Sequence, residues 1–147
     1  MRNISAAILA ACLVLPGCAT SYGNGSFSLT GGYEQARVNA RLTKVNFVAN
    51  GYSDAETVQM FALYRCAELA RDAGKPYFTI YASLTSAALN RPSGMPLVGS
   101  LGNKPSASAY LAMEDGPRPG AKEVAAVLAE YRAKVEEYTP RMPGGKK

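Results

Sequence analysis

Histidine and tryptophan are absent from this 147-residue chain. The first absence excludes much site chemistry: without an imidazole there is no Ser-His-Asp or Cys-His arrangement, no His-ligated metal and no histidine switch near neutral pH. Cysteine is scarce, with three residues. Charge is modest as well. Sixteen basic against eleven acidic residues give +5, spread along the chain rather than gathered in one block, so nucleic acid is not an expected partner. No glycine-rich loop carries lysine and Ser/Thr in phosphate-binding order, the serines lack a neighbouring base, and the carboxylates are scattered. The sequence therefore reads as non-enzymatic, with no cofactor and no metal. What is present is a 48% apolar composition, enough for one core.

Residues 1–17 read as a leader rather than as fold. A basic start, Met1-Arg2-Asn3, precedes an apolar run from Ile4 to Leu15. A helix of that length covers about 18 Å against a hydrocarbon core of about 30 Å, so it suits a signal h-region and not a membrane span. Leu15-Pro16-Gly17-Cys18 then resembles the bacterial lipobox, which implies that Cys18 becomes the lipid-bearing first residue after cleavage. Each buried methylene contributes about 0.8 kcal/mol, so two or three acyl chains make the attachment effectively permanent. Ala19 stands where some bacterial lipoproteins carry a retention aspartate. The expected location is thus the periplasmic face of the outer membrane, with the inner membrane as the alternative. Cys12 departs with the leader and Cys18 is alkylated, which leaves Cys66 without a bridging partner and expected to be a buried packing residue.

Residues 19–32 are rich in Gly and Ser and suit a flexible tether, with a root-mean-square span of roughly 20 Å. A single α+β domain is expected over 33–139, followed by a disordered basic tail at 140–147. Val38, Ala40 and Leu42 alternate, then change phase to Val45, Phe47 and Ala49, which predicts a half-buried strand with a bulge or break near Thr43. Asn50-Gly51 ends it, and Ser53-Asp54-Ala55-Glu56 forms a capping box with Ser53 as the cap. Val58, Ala62, Cys66, Leu69 and Ala73 then make one helical stripe, stopped at Gly74 and Pro76. Period two returns in Tyr77–Leu84, completing a β-α-β unit. Residues 86–106 read as a long Gly/Pro loop, Ser108–Met113 as a third strand antiparallel to the second, and Val124, Val127, Leu128, Tyr131, Val135 and Tyr138 as a closing amphipathic helix. The expected architecture is a small mixed three-stranded sheet in β-α-β-β-α order with two amphipathic helices.

Gly32-Tyr33, Val45-Asn46-Phe47, Asn50-Gly51-Tyr52-Ser53, Leu63-Tyr64-Arg65-Cys66-Ala67-Glu68-Leu69 and Gly74 to Phe78 together resemble an uncharacterised family of small proteobacterial lipoproteins. The resemblance covers about residues 31–84, with Ala49 standing where the pattern has glycine. It implies cell-envelope placement and supplies no activity.

Two sets of residues invite a binding role. Arg65 sits at the margin of the stripe, three residues before Glu68; it either presents a guanidinium to an anion or forms an ion pair with Glu68 or Asp72. Met95, Leu97, Val98 and Leu101 lie in the 86–106 loop, where a passive linker would be polar. They either contact a partner across Arg91–Lys104 or fold back as a lid on the core. Tyr77 and Tyr81 share a strand face that is a platform or is covered. The functional expectation is a lipid-anchored envelope interaction module with an envelope protein as partner; the alternative is an envelope hydrolase using carboxylates in a cleft.

Overall fold

The computed structural model describes residues 22–23, 31–50 and 53–138. The leader, the lipobox and Cys18, most of the tether, Gly51 and the 140–147 tail lie outside the described residues. The element order is β1 (Gly31–Arg37), β2 (Leu42–Ala49), α1 (Ala55–Asp72), β3 (Tyr77–Tyr81), α2 (Leu84–Ala88), β4 (Leu97–Leu101), β5 (Lys104–Glu114), β6 (Lys122–Glu123) and α3 (Val124–Tyr138). The α+β class holds, but the sheet has six strands rather than three.

The change of phase near Thr43 is a hairpin, not a bulge. β1 and β2 pair antiparallel from Gly31–Ala49 to Arg37–Thr43. In the turn, Asn39 Oδ1 accepts from the Arg41 and Leu42 amides at 2.8 and 2.9 Å, the local bonding that makes asparagine a turn residue. Sheet formation therefore begins at Gly31, inside the stretch expected to be tether. Tyr22 and Gly23 are also engaged: the Tyr33 amide donates to the Gly23 carbonyl at 3.0 Å.

α1 is capped one residue later than the capping-box reading placed it. Asp54 accepts from the Thr57 amide at 2.7 Å, and Ser53 is buried. A carboxylate at the positive end of a helix gains more than a hydroxyl there, and the bonded amide holds the Asp54 carboxyl below its usual range. The stop is as expected: Gly74 takes φ +69°, Gly74 donates to Arg71 at 2.9 Å and Lys75 to Ala70 at 2.8 Å, the paired bonds of a Schellman ending. Burial on α1 exceeds one stripe, taking in Met60, Phe61, Leu63, Tyr64, Ala67 and Ala70. The helix packs on the sheet on one side and on α3 on the other, whereas Ala73 at its end is exposed.

The supposed 86–106 loop is largely structured. β3 ends at Tyr81, so Leu84 belongs to the short helix α2, capped by Ser83 on the Ser86 amide at 3.0 Å. β4 and β5 then form a tight hairpin closed by the Leu101–Lys104 pair. Gly102 has φ +63° while Asn103 does not have positive φ, the type II′ pattern that matches strand twist in two-residue turns. β5 is the third strand of the sequence reading, extended from Ser108–Met113 to Lys104–Glu114. Sheet order is β1-β2-β5-β3-β6, with β4 continuing beside β5. β5 thus separates β2 and β3, so the β-α-β unit is split: its two strands run parallel but do not touch.

The core lies between the sheet and the α1–α3 layer. Val45, Phe47, Ala107, Ala109, Leu111, Phe78 and Ile80 face it from the strands. Val124, Val127, Leu128 and Val135 face it from α3, the spacing the sequence predicts. No helix of the described residues is long and apolar enough to cross a membrane.

Candidate functional site

Both long helices pack on the same side of the sheet, because Val45, Phe47 and Ala49 of β2 and Ala107, Ala109 and Leu111 of β5 put their apolar side chains on one face. The opposite face is divided. Toward β3 it is covered: Thr79, Tyr81 and Ala112 are buried, with the Tyr81 hydroxyl donating to Asn90 Oδ1 at 3.0 Å. The platform reading of Tyr81 is therefore replaced by a covered tyrosine, and the cover is the segment after α2 rather than the C-terminal helix.

Toward β1 and β2 the face is open. Register places Glu34, Asn46, Ser108 and Leu97 in one cross-strand row, and Gly32, Val48, Ser106 and Gly99 in the next. The twist of the strands makes this area concave, a trough of about 490 Å³ whose polar lining includes Glu34, Lys44, Asn46, Lys104, Ser106 and Ser108. Lys44 lies over the Tyr110 ring at 5.8 Å from its centroid, a cation–π distance. β4 forms one wall. Its apolar residues are the ones the sequence flagged: Leu97 is 54%, Val98 39% and Leu101 50% exposed. Leu97 and Leu101 stand on the trough side, whereas Val98 pairs with core-facing Ala107. Met95 is not with them; it is half-buried against the core, and its neighbour Pro96 accepts from Gln59 Nε2 of α1 at 2.7 Å. Neither the free-loop nor the lid reading describes this segment, which is an exposed hairpin whose base is pinned to α1.

Arg65 is elsewhere, on the opposite side of the sheet. Its guanidinium lies 4.2 Å from the Tyr33 ring centroid, donates to Glu68 Oε2 at 2.9 Å and reaches Gln35 Oε1 at 3.0 and 3.3 Å. The Tyr22 hydroxyl donates to the same Glu68 oxygen. Burial and the Glu68 bond push the Tyr22 phenol well above its ordinary range. These contacts join β1, α1 and the Tyr22 segment, and of the two readings of Arg65 the ion pair with Glu68 is the one formed here.

Cys66 is fully buried and free. Removal from water pushes its thiol up to about 12, which suits a packing residue and not a nucleophile. A second hollow of about 280 Å³, between the start of α1 and the end of α3, is lined by Asp54, Glu56, Glu137 and Tyr131. Asp54 is committed there as the helix cap, and no grouping of metal-ligating side chains occurs among the described residues.

No family model, no curated protein and no solved structure matches this chain. The site reading rests on geometry alone. The trough owes three of its features to residues the sequence reading passed over: the pairing of Glu34 with Asn46, the polar alternation Ser106–Ser108 on β5, and the Gly102-Asn103 turn. The last was legible, since Gly-Asn between two short apolar-containing runs is a hairpin signal.

Proposed function

We propose that this protein is a lipid-anchored module of the cell envelope, held to the membrane through Cys18, that binds an envelope protein in the open trough between β1–β2 and the β4–β5 hairpin. The observation that carries this reading is the one-sided packing of the helices, which leaves that polar, leucine-rimmed sheet face to solvent. A row of serine, asparagine and lysine side chains offers donors and acceptors to an extended polypeptide, and Leu97 and Leu101 offer apolar contact beside them. The hydrolase alternative has less support. General acid–base work on a glycoside needs two facing carboxyl groups; the trough brings Glu34 alone to its lining, so that alternative would have to act in the smaller hollow, where Glu56 and Glu137 lie beside the Asp54 cap.

Docking of Tyr22 bears on the anchor. Three residues separate Cys18 from Tyr22, so the two are at most about 14 Å apart along an extended chain. The leash is then shorter than a free tether to residue 32 would give, and the domain sits against its membrane.

The test is in-cell photocrosslinking from Ser106 and Asn46 in the trough, with Glu130 on the exposed side of α3 as control. Adducts to a membrane or periplasmic protein from the two trough positions, and none from Glu130, are expected. Equal adducts from all three positions, or none from the trough, would overturn the reading.

A further inference from the structure

One strand edge of this sheet has no partner among the described residues, and its sequence fits a second copy of itself. The pair flanking a two-residue turn is hydrogen-bonded, and bonding then alternates along the ladder. In the β4–β5 hairpin, Leu101, Gly99 and Leu97 are therefore the residues bonded to Lys104, Ser106 and Ser108. The amides and carbonyls of Val98 and Ser100 consequently point outward.

On the other strand edges some of the outward groups are met, and β1, whose outer edge is bonded at Tyr33, carries Glu34 and Arg37 along its length. The Tyr33 amide donates to Gly23, the Ile80 carbonyl accepts from Ser93 at 2.8 Å, and Phe78 is paired by Lys122 of β6. β6 itself is only two residues long and both are charged. Short length, charge and proline are the usual protections of a sheet edge. β4, Leu-Val-Gly-Ser-Leu, has five exposed residues with neither charge nor proline among them.

We propose that β4 is a self-association edge, in which two copies of this chain pair antiparallel about a two-fold axis at Gly99. Val98 of one copy then exchanges both backbone bonds with Ser100 of the second copy, and the symmetry repeats this, giving four bonds. Gly99 faces Gly99. Leu97 faces Leu101 of the second copy on the trough side, at non-hydrogen-bonded positions where side chains approach most closely. The interface is isologous, so it closes at two copies. No like charges meet within it. A register centred on Ser100 would instead set Leu101 against Gly99 and Leu97 against Asn103, losing both leucine contacts. The proposal goes beyond the trough reading, which concerns a different protein, and its test reads mass rather than crosslinks.

Gly99 provides the test. An added Cβ there would meet nothing closer than Ser106 Oγ at 3.5 Å, and its φ is not positive, so each copy can accept a side chain. In the pair, two like charges would stand directly opposed, which is destabilising. The full-length protein in detergent is expected to show twice the monomer mass by light scattering, with Gly99→Lys and Gly99→Asp each at monomer mass and with wild-type circular dichroism. An equimolar mixture of the two variants is expected to return to dimer mass, because lysine then faces aspartate; a misfolded variant could not be rescued in this way. Wild type remaining monomeric at about 0.1 mM, a weak-binding concentration, would overturn the proposal. So would dimers that persist in both single variants, or a mixture that stays monomeric.

Discussion

Tyr22 combines two opposing demands at the residue scale. Its ring packs 5.4–6.4 Å, centroid to centroid, from those of Tyr33, Phe47, Phe61 and Tyr64, while its hydroxyl must find a partner and takes Glu68. Ionising it there would set two anions together, so burial and Glu68 raise its pKa, as burial raises that of Cys66 to about 12. Both groups are acids raised in the folded state. Their contribution to stability is complete below the unfolded pKa, near 9 for the thiol and 10 for the phenol, and is lost as pH rises through the folded values. Urea midpoints should therefore fall from about pH 8 to about pH 11, and fall less for Tyr22→Phe or Cys66→Ala than for wild type. At neutral pH, Cys66→Ala should cost about 1 kcal/mol, the mild end of large-to-small core changes. Thiol reagents should label Cys66 only on unfolding. The Asp54 cap gives the opposite sign, a carboxyl lowered by the Thr57 amide, and Asp54→Ala should cost about 1 kcal/mol by thermal or urea denaturation.

Among the elements, turns decide which strands can meet, and two glycines separate strain from crowding. Gly74 has φ +69° with nothing within 4 Å of an added Cβ, whereas Gly120 has φ +80° and its Cβ would lie 2.6 Å from Pro92 Cβ. Gly74→Ala carries the backbone penalty alone, about 1 kcal/mol. Gly120→Ala adds a clash between the segment before β6 and the one after α2, so it should lower the midpoint distinctly more. Equal losses in the two variants would contradict the close approach of Gly120 to Pro92. The Tyr22 segment acts as an added element on the β1 edge, and Tyr22→Ala should cost about 2 kcal/mol, less than the 3–5 of a fully enclosed aromatic.

For the whole molecule, two layers with the long helices on one side give it a packed face and an open one. The lipid anchor, the docked Tyr22 and the trough belong to one reading of how the domain is presented. Cys18→Ser should move the protein from the membrane to the soluble fraction without changing the thermal midpoint, because Tyr22 docks through its own ring and hydroxyl. A fall in the midpoint would mean that the anchor itself supports the fold. Replacing Leu97 and Leu101 together with serine should abolish capture at the trough while leaving stability nearly intact, since both side chains are already half in water.

Local patterns in the sequence determined much of the helical layer. The Gly74 stop, the inward residues of α3 and the burial of Cys66 follow from 3.6-residue spacing and turn chemistry, which act within one or two turns of chain. The alternation Val45, Phe47, Ala49 likewise marked the inner face of β2. What tertiary structure alone decided were the pairings. Nothing within Gly31–Arg37 announces a strand until β2 supplies its partner, and the 86–106 segment looks irregular because its β4 residues gain order only from β5. The width of α1 burial depended on α3 arriving across it. Arg65, an ambiguous cation in sequence, became a joint once Tyr33, Gln35 and Tyr22 were brought from more than 25 residues away. Pairing partners far apart in the chain leave no short-range period to read, so the open trough and the bare β4 edge appear only when the sheet order is known.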